Sequence, residues 1–249
     1  MDKEARNLVQ RATQDARRLL EREYREQLEG LYDVLPDTGE IADTPGNHLD
    51  AHESFIRSRI VAAIEHERSK VGDREAIEAY MREAAFTTLN RFAALKLMEA
   101  RRLVQECVSK ADQSRGFREF CGLAPGLSDL PDRGYRLYLE CLFDEVGVEV
   151  GALFDRRHPA SLLWPRRPAM LELLEILNRA DLAVVWSEDE TIGWIYQYFN
   201  NDAERKEMRQ KSAAPRNSRE LAVRNQFFTP ATSSSSLRTT RSAASGMRC

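Results

Sequence analysis

Four residues at the head of a helical stretch, His48, Asp50, His52 and Glu53, have the types and spacing that could hold a metal ion. Two imidazoles four positions apart share one face of a helix, an arrangement that zinc sites use. No third ligand follows at a diagnostic spacing, and a helix N-terminus gathers acidic residues for its own amides; no metal is expected. The cysteines Cys107, Cys121, Cys141 and Cys249 form no C-x-x-C pair, and neither Cys107 nor Cys141 has a histidine near it in sequence. Buried free thiols in a reducing compartment are expected, rather than a nucleophile or a disulfide framework. Neither G-x-x-x-x-G-K-[ST] nor G-x-S-x-G occurs, which argues against nucleotide hydrolysis and serine-hydrolase chemistry.

Two other clusters could touch nucleic acid. Ile192, Trp194, Ile195, Tyr198 and Phe199 form the densest aromatic group in the chain. At helical spacing such residues read as core, with a base-stacking platform as the sharper alternative. Arg205, Lys206, Arg209, Lys211, Arg216 and Arg219 outnumber Asp202, Glu204 and Glu207. That run reads as a solvated helix face, with phosphate contact as its alternative. The net charge is −3, so any DNA contact must be a local patch rather than a global field.

The elements that carry these residues are helical. Only 12 Gly and 9 Pro punctuate 249 residues, and 42% hydrophobic with 31% charged residues allows a core under a heavily solvated surface. Leu8, Ala12, Ala16, Leu19, Leu20, Leu28 and Leu31 predict an amphipathic helix over 3–31, ended by Pro36 and Asp37-Thr38-Gly39. A polar loop with a Pro45-Gly46 turn follows, then a helix over 50–71 with Phe55, Ile56, Ile60 and Ile64 inside. Gly72 serves as its stop and Asp73 as the N-cap of a longer helix over 74–108, the predicted spine. That helix buries Ile77, Met81, Ala84, Ala85, Leu89, Phe92, Leu95 and Met98. Residues 111–134 read as irregular. A helix over 135–146 presents Leu137, Tyr138, Cys141, Leu142 and Val146, and one over 169–178 packs Met170, Leu173, Leu174 and Leu177. Ser187-Glu188-Asp189-Glu190 has the pattern of a capping box opening a last helix to residue 200. The expected fold class is all-α, with a helical region over 1–200, a basic segment over 201–230 and a disordered tail over 231–249.

Gln226-Phe227-Phe228-Thr229-Pro230 resembles the Q-[FY]-[FY]-T-P signature, motif X, of class I S-adenosylmethionine-dependent DNA adenine-N6 methyltransferases. Phe86 to Arg101, F-T-T-L-N-R-F-A-A-L-K-L-M-E-A-R, carries a stretch similar to the F-x-x-x-N-R-x-x-A-L-[KR]-x-M-[ED]-A segment of the BREX-type and DISARM-type phage-defence members. Leu153-Phe154-Asp155 through Ser161-Leu162-Leu163-Trp164-Pro165 resembles their L-F-D…S-L-L-[FW]-P linker. Asp189 to Asn200, D-E-T-I-G-W-I-Y-Q-Y-F-N, is similar to what they carry shortly before motif X. Type IIG restriction-modification enzymes share these segments. The resemblance implies that Phe227, Phe228, Thr229 and Pro230 contribute to an S-adenosylmethionine pocket. It also implies DNA, and other proteins of a defence system, as partners of the intact enzyme. Asn90, Arg91 and Arg101 become candidate DNA ligands, against the blander expectation that they hydrogen-bond between helices.

The rest of that chemistry is missing from the sequence. The family builds its cofactor pocket on a glycine-rich strand-to-helix turn, where a bare backbone approaches the ligand. It holds the flipped adenine with an [ND]-P-P-[YFW] loop. This chain has no G-x-G and no Pro-Pro. After Pro230 comes A-T-S-S-S-S-L-R-T-T-R-S-A-A-S-G-M-R-C, low in complexity and without an acidic residue. The tail can be encoded by chosen codons that, with one C placed before them and read in the shifted frame, give R-Y-V-V-E-F-L-T-D-N-T-L-G-R-I-W, which resembles the helix the family carries there; the tail is thus compatible with a frameshift. The expectation is a frameshifted N-terminal fragment, catalytically silent alone and binding no cofactor. The alternative is a stand-alone helical module that binds a partner protein or the DNA backbone. No apolar run approaches the ~20 residues of a membrane span and no secretory signal is present, so a soluble cytoplasmic protein is expected.

Overall fold

A computed structural model of the chain describes residues 1–44, 46–130 and 134–200. The fold is all-α: eight helices and one two-stranded hairpin among the described residues. Helix α1 (Lys3–Gly30) starts where the Asp2 carboxylate accepts the Ala5 amide at 2.8 Å. It buries Ala12, Ala16, Leu19, Leu20 and Leu28, as the periodicity predicts; Leu8 and Leu31 are only half-buried. The stretch read as a polar loop contains a short antiparallel hairpin, β1 (Val34–Leu35) and β2 (Glu40–Ile41), with Val34 opposite Ile41. Gly39 closes it at φ +83°, where a Cβ would stand 2.9 Å from the Arg74 amide nitrogen; only glycine fits both constraints.

Helix α2 (Ala51–Arg68) is shorter than expected and buries only Arg57, Ile60 and Ile64. Phe55 is 59% exposed, against its expected place in the core. It sits about 140° around the helix from Ile60, so the two cannot share a stripe. The buried position goes instead to Arg57, whose Nε donates to the Tyr32 carbonyl at 2.7 Å and whose Nη2 donates to Ala42, fastening α2 to the hairpin.

Helix α3 (Asp73–Ala100) begins at Asp73, with Gly72 as its N-cap, and runs through the centre against α1, α2, the short helix α6 (Gly151–Phe154), the last described helix α8 (Thr191–Phe199) and the 159–161 turn. Its predicted stripe is buried except for Met98, which is half-buried. The helix ends eight residues before the expected boundary. Arg102 takes φ +59° and the chain doubles back, because the Glu99 side chain captures amides further on, described below. The region read as irregular also holds α4 (Arg115–Leu123). It starts as a tight approach: a Cβ on Gly116 would meet the Glu106 carbonyl at 2.9 Å and the Tyr138 hydroxyl at 2.3 Å.

Helix α5 (Tyr135–Gly147) buries Tyr135, Tyr138, Leu139, Phe143 and Val146. Leu137 and Cys141, expected inside, are exposed. The inward face is rotated because Tyr135 meets Phe117 of α4 edge-on and Tyr138 meets it at a tilt, which no pattern within α5 reveals. The short α6 (Gly151–Phe154) and α7 (Arg167–Leu177) follow, and α7 buries Met170, Leu173, Leu174 and Leu177 as expected.

Helix α8 (Thr191–Phe199) opens without the expected capping box. Ser187 belongs to a 3₁₀ turn, Val185–Ser187, and its hydroxyl donates to the Val184 carbonyl at 2.8 Å. That turn is held by the Trp186 indole donating to the Leu177 carbonyl at 3.0 Å and by Thr191 Oγ1 donating to Val185. Helix α8 lies parallel to α1 and closes the core with Ile195 and Phe199; Ile192, Trp194 and Tyr198 are half-buried. Its C-terminal end is met by the buried Arg17, whose Nη1 donates to the Phe199 carbonyl at 2.6 Å. A cation there complements the partial negative charge of the exposed carbonyls.

Candidate functional site

The second half of α3 is a hub. Phe86 lies 5.4 Å from Tyr196 and 5.1 Å from Phe199, ring centre to ring centre. Phe92 sits between Phe143 at 6.2 Å and Trp164 at 6.1 Å. Arg91 is buried and spends its donors on one turn: Nε to the Leu153 carbonyl, and Nη2 to the Asp155 carbonyl and the Ser161 hydroxyl, all at 2.7–2.8 Å. Its guanidinium lies 5.4 Å over Phe143. Burial pulls its pKa down to about 10, so it stays charged at neutral pH. A planar fork suits this job, since a lysine could not reach three acceptors from one plane.

One turn further along, Lys96 Nζ donates to Ser109 Oγ at 2.5 Å and to Asn178 Oδ1 at 2.6 Å. Glu99 Oε2 accepts three successive backbone amides, Cys107 at 2.8 Å, Val108 at 2.7 Å and Ser109 at 3.1 Å. Ser109 Oγ donates to its other oxygen. Burial raises the Glu99 pKa, but the Ser109 hydroxyl, the amides and the nearby Lys96 ammonium outweigh it and hold the carboxyl below its ordinary value. At the surface, Arg101 pairs with Asp189 at 2.6 Å. Asn90 is buried, and its side-chain oxygen accepts no hydrogen bond from the described residues.

The hub therefore joins the segments singled out in the sequence. Residues 86–101 reach 153–164 through Arg91 and Phe92, and 189–199 through Phe86 and Arg101. Arg91 does what the blander expectation requires, and Arg101 is held in an ion pair. The aromatic cluster is likewise used internally: Trp194 stacks on Tyr198 at 5.4 Å and 18°, with the Arg6 guanidinium 5.2 Å from the Trp194 ring.

The metal-like group at 48–53 is a helix cap. Asp50 accepts the Glu53 amide at 2.7 Å, and Glu53 accepts the Asp50 amide at 2.9 Å, a reciprocal capping box. His48 Nε2 is hydrogen-bonded to the Leu31 carbonyl at 2.9 Å. No cluster of three metal-ligating side chains occurs among the described residues. Cys107 is buried, with its thiol pushed up by burial and by Glu99, which leaves it inert as a nucleophile. Cys121 is half-buried and Cys141 exposed, so of the described thiols only Cys107 meets the expectation of burial.

Sequence reasoning missed the partners that stabilise the hub's surroundings. Glu23 on α1 accepts the backbone amide, Nε and Nη2 of Arg166 at 2.8, 2.8 and 2.9 Å. Burial raises its pKa, and the Arg166 and Gln27 hydrogen bonds more than reverse that, leaving it lowered. A Glu inside an apolar stripe was a visible signal; its partner 143 residues away was not.

Two open clefts share Arg59 of α2 in their linings. One, about 500 Å³, lies between α2, α3 and the 158–160 turn, with Tyr80, Glu83, His66 and His158 around it. The other, about 620 Å³, runs past the end of α5, with Phe143, Val148, Arg156 and Arg157. Phe227, Phe228, Thr229 and Pro230, with the basic segment, Cys249 and the tail, lie outside the described residues. No described helix is long and apolar enough to cross a membrane. Comparison of the chain with protein-family models, with curated proteins and with solved structures finds no match.

Proposed function

We propose that this chain is the helical N-terminal region of a class I DNA adenine-N6 methyltransferase of a phage-defence or restriction-modification system. Its role is to brace the catalytic domain that motif X introduces. One observation carries the reading: segments 153–165 and 189–200, singled out by resemblance, both pack against the third such segment, 86–101, on α3. Segments that belong to one inherited architecture should meet in space, and chance matches along a chain have no reason to.

S-adenosylmethionine and DNA are the cofactor and substrate of the assembled enzyme. The described residues do not fit that cofactor, because their strands are two residues long and no glycine-rich turn follows one. The catalytic step accordingly belongs to sequence beyond these helices. A helical module that binds a protein partner or the DNA backbone is favoured by the continuous core, which runs from Val9 to Phe199. Sequencing the locus past the last codon, in all frames, separates the two. A following frame with a glycine-rich motif and an [ND]-P-P-[YFW] loop supports the methyltransferase; none rejects it. Calorimetric titration of the purified chain with S-adenosylmethionine should give no heat of binding. Micromolar binding would mean that these helices hold a pocket of their own.

A further inference from the structure

We infer that the cleft of about 500 Å³ between α2 and α3 is the docking site of the segment that follows α8, residues 201–211. The inference stands apart from the methyltransferase reading. The first observation is the lining. Ala62 and Ala63 of α2, Ala79 of α3 and Ala160 of the following turn line the cleft, and Tyr80 donates its hydroxyl to the Pro159 carbonyl at 3.0 Å, fixing that turn against α3. Short apolar side chains on three elements leave width for another stretch of chain, and covering them removes apolar surface from water. Helix α2 has little other cover, since it buries only Arg57, Ile60 and Ile64. Glu83 is the buried carboxylate of the lining; Glu67 meets Lys70 at 2.9 Å, and Arg59 donates to the Arg157 carbonyl at 2.8 Å.

The second observation is where α8 delivers the chain. Phe199 is buried with its ring 5.1 Å from that of Phe86 on α3, and Asn200 is 1% exposed. Phe86 lies one turn beyond Glu83, and Ala79, Glu83 and Phe86 fall within about 60° of one another around α3. Residue 201 therefore starts beside one end of the cleft. Eight residues from Asn200 reach Met208, about 12 Å if helical and about 26 Å if extended, and the stretch of α3 from Ala79 to Glu83 is about 6 Å long. The third observation is complementarity. Residues 201–211 hold Arg205, Lys206, Arg209 and Lys211 against Asp202, Glu204 and Glu207, with Ala203 and Met208 as their apolar side chains. An unbranched Met fills irregular gaps such as those between alanines. A cation brought against a buried carboxylate such as Glu83 stabilises it, and Arg205 and Lys206 are the first cations past Asn200. A segment tethered this close binds at a high effective concentration, so modest contacts suffice.

The test is limited trypsin digestion of the full chain, with each cut read by mass spectrometry and each rate divided by that of the urea-unfolded chain. Arg205, Lys206, Arg209 and Lys211 should be cut about tenfold more slowly than Arg219, Arg224, Arg238 and Arg241, because a docked segment must open before cleavage. Ala62→Trp places an indole in the cleft from an exposed position and should bring the first four sites to within about twofold of the others. Met208→Ser should release them as well, and it decides the test if Ala62→Trp fails to fold. Equal cutting at all eight sites of the natural chain would overturn the inference. So would protection that persists in a folded Ala62→Trp chain, since the segment would then dock elsewhere. Protection that weakens as the protein is diluted would place the segment in the cleft of a second copy and overturn docking within one chain.

Discussion

Replacing Glu99 should be the most damaging single change that leaves every apolar side chain in place. In Glu99→Ala, the amides of Cys107, Val108 and Ser109 and the Lys96 ammonium lose their common acceptor. Hydrogen bonds to a charged group contribute about 1.5–3 kcal/mol each when buried. Water reaches part of the vacated site, because the Glu99 side chain retains 10% exposure, so the sum is well below three full bonds. About 3–5 kcal/mol is the working figure, in line with breaking a buried charged network. At about 2–4 °C per kcal/mol for a chain of this size, Glu99→Ala should lower Tm by roughly 6–20 °C. Glu99→Gln keeps an acceptor and loses the charge, and should cost about 1–2 kcal/mol. The pH dependence gives an independent check. The folded Glu99 pKa is lowered, so its stabilisation is complete above the ordinary carboxylate range and is lost as pH falls through the lower folded value. The gap between the natural chain and Glu99→Gln in urea melts should therefore hold at neutral pH and close below about pH 4. A Glu99→Ala protein that melts within a degree or two of the natural chain, or a gap that ignores pH, would refute the reasoning.

Three further predictions use the same measurements. Arg91→Lys should lose at least two of three hydrogen bonds and cost about 2–4 kcal/mol by urea melts, with hydrogen exchange rising first at residues 153–161. Gly116→Ala should cost about 1–3 kcal/mol, because its Cβ meets the Glu106 backbone carbonyl; the paired variant Tyr138→Phe should recover only part of the loss, since it relieves only the hydroxyl contact. Glu23→Gln should destabilise at neutral pH and match the natural chain once acid has protonated Glu23, whose folded pKa is lowered. A constant difference across that range would mean that the Arg166 contact carries no charge term.

Much of the scaffold was legible because it follows from local period. The inner faces of α1, α3 and α7 repeat at three and four residues, so their buried residues could be named before any coordinates. The errors fall where a partner distant in sequence decides. The end of α3 is set by amides at 107–109, and Met98 to Val108 read on as helix until those amides claim Glu99. The face of α5 is turned by Phe117, and Ser187 is drawn into a 3₁₀ turn by Trp186 and Thr191. The candidate site divides the same way. Arg91 was visible as a polar interruption of a buried helix, which must find partners inside. That those partners are two carbonyls and a hydroxyl of one turn was not.

The parallel contact between α1 and α8 has a consequence for synthesis. Gln14 Nε2 donates to the Tyr198 carbonyl and Arg17 Nη1 to that of Phe199, so α1 is completed by a helix that is synthesised much later. Roughly 170 residues separate the end of α1 from the end of α8, about 10–30 s of translation at 5–20 residues per second. Through that interval the stripe from Val9 to Leu28 has only part of its final cover. The nascent chain is therefore sticky from α1 onward, and it is one on which ribosome-bound chaperones have ample time to act. Slower decoding between α3 and α8 should lower soluble yield without altering a single contact of the finished fold.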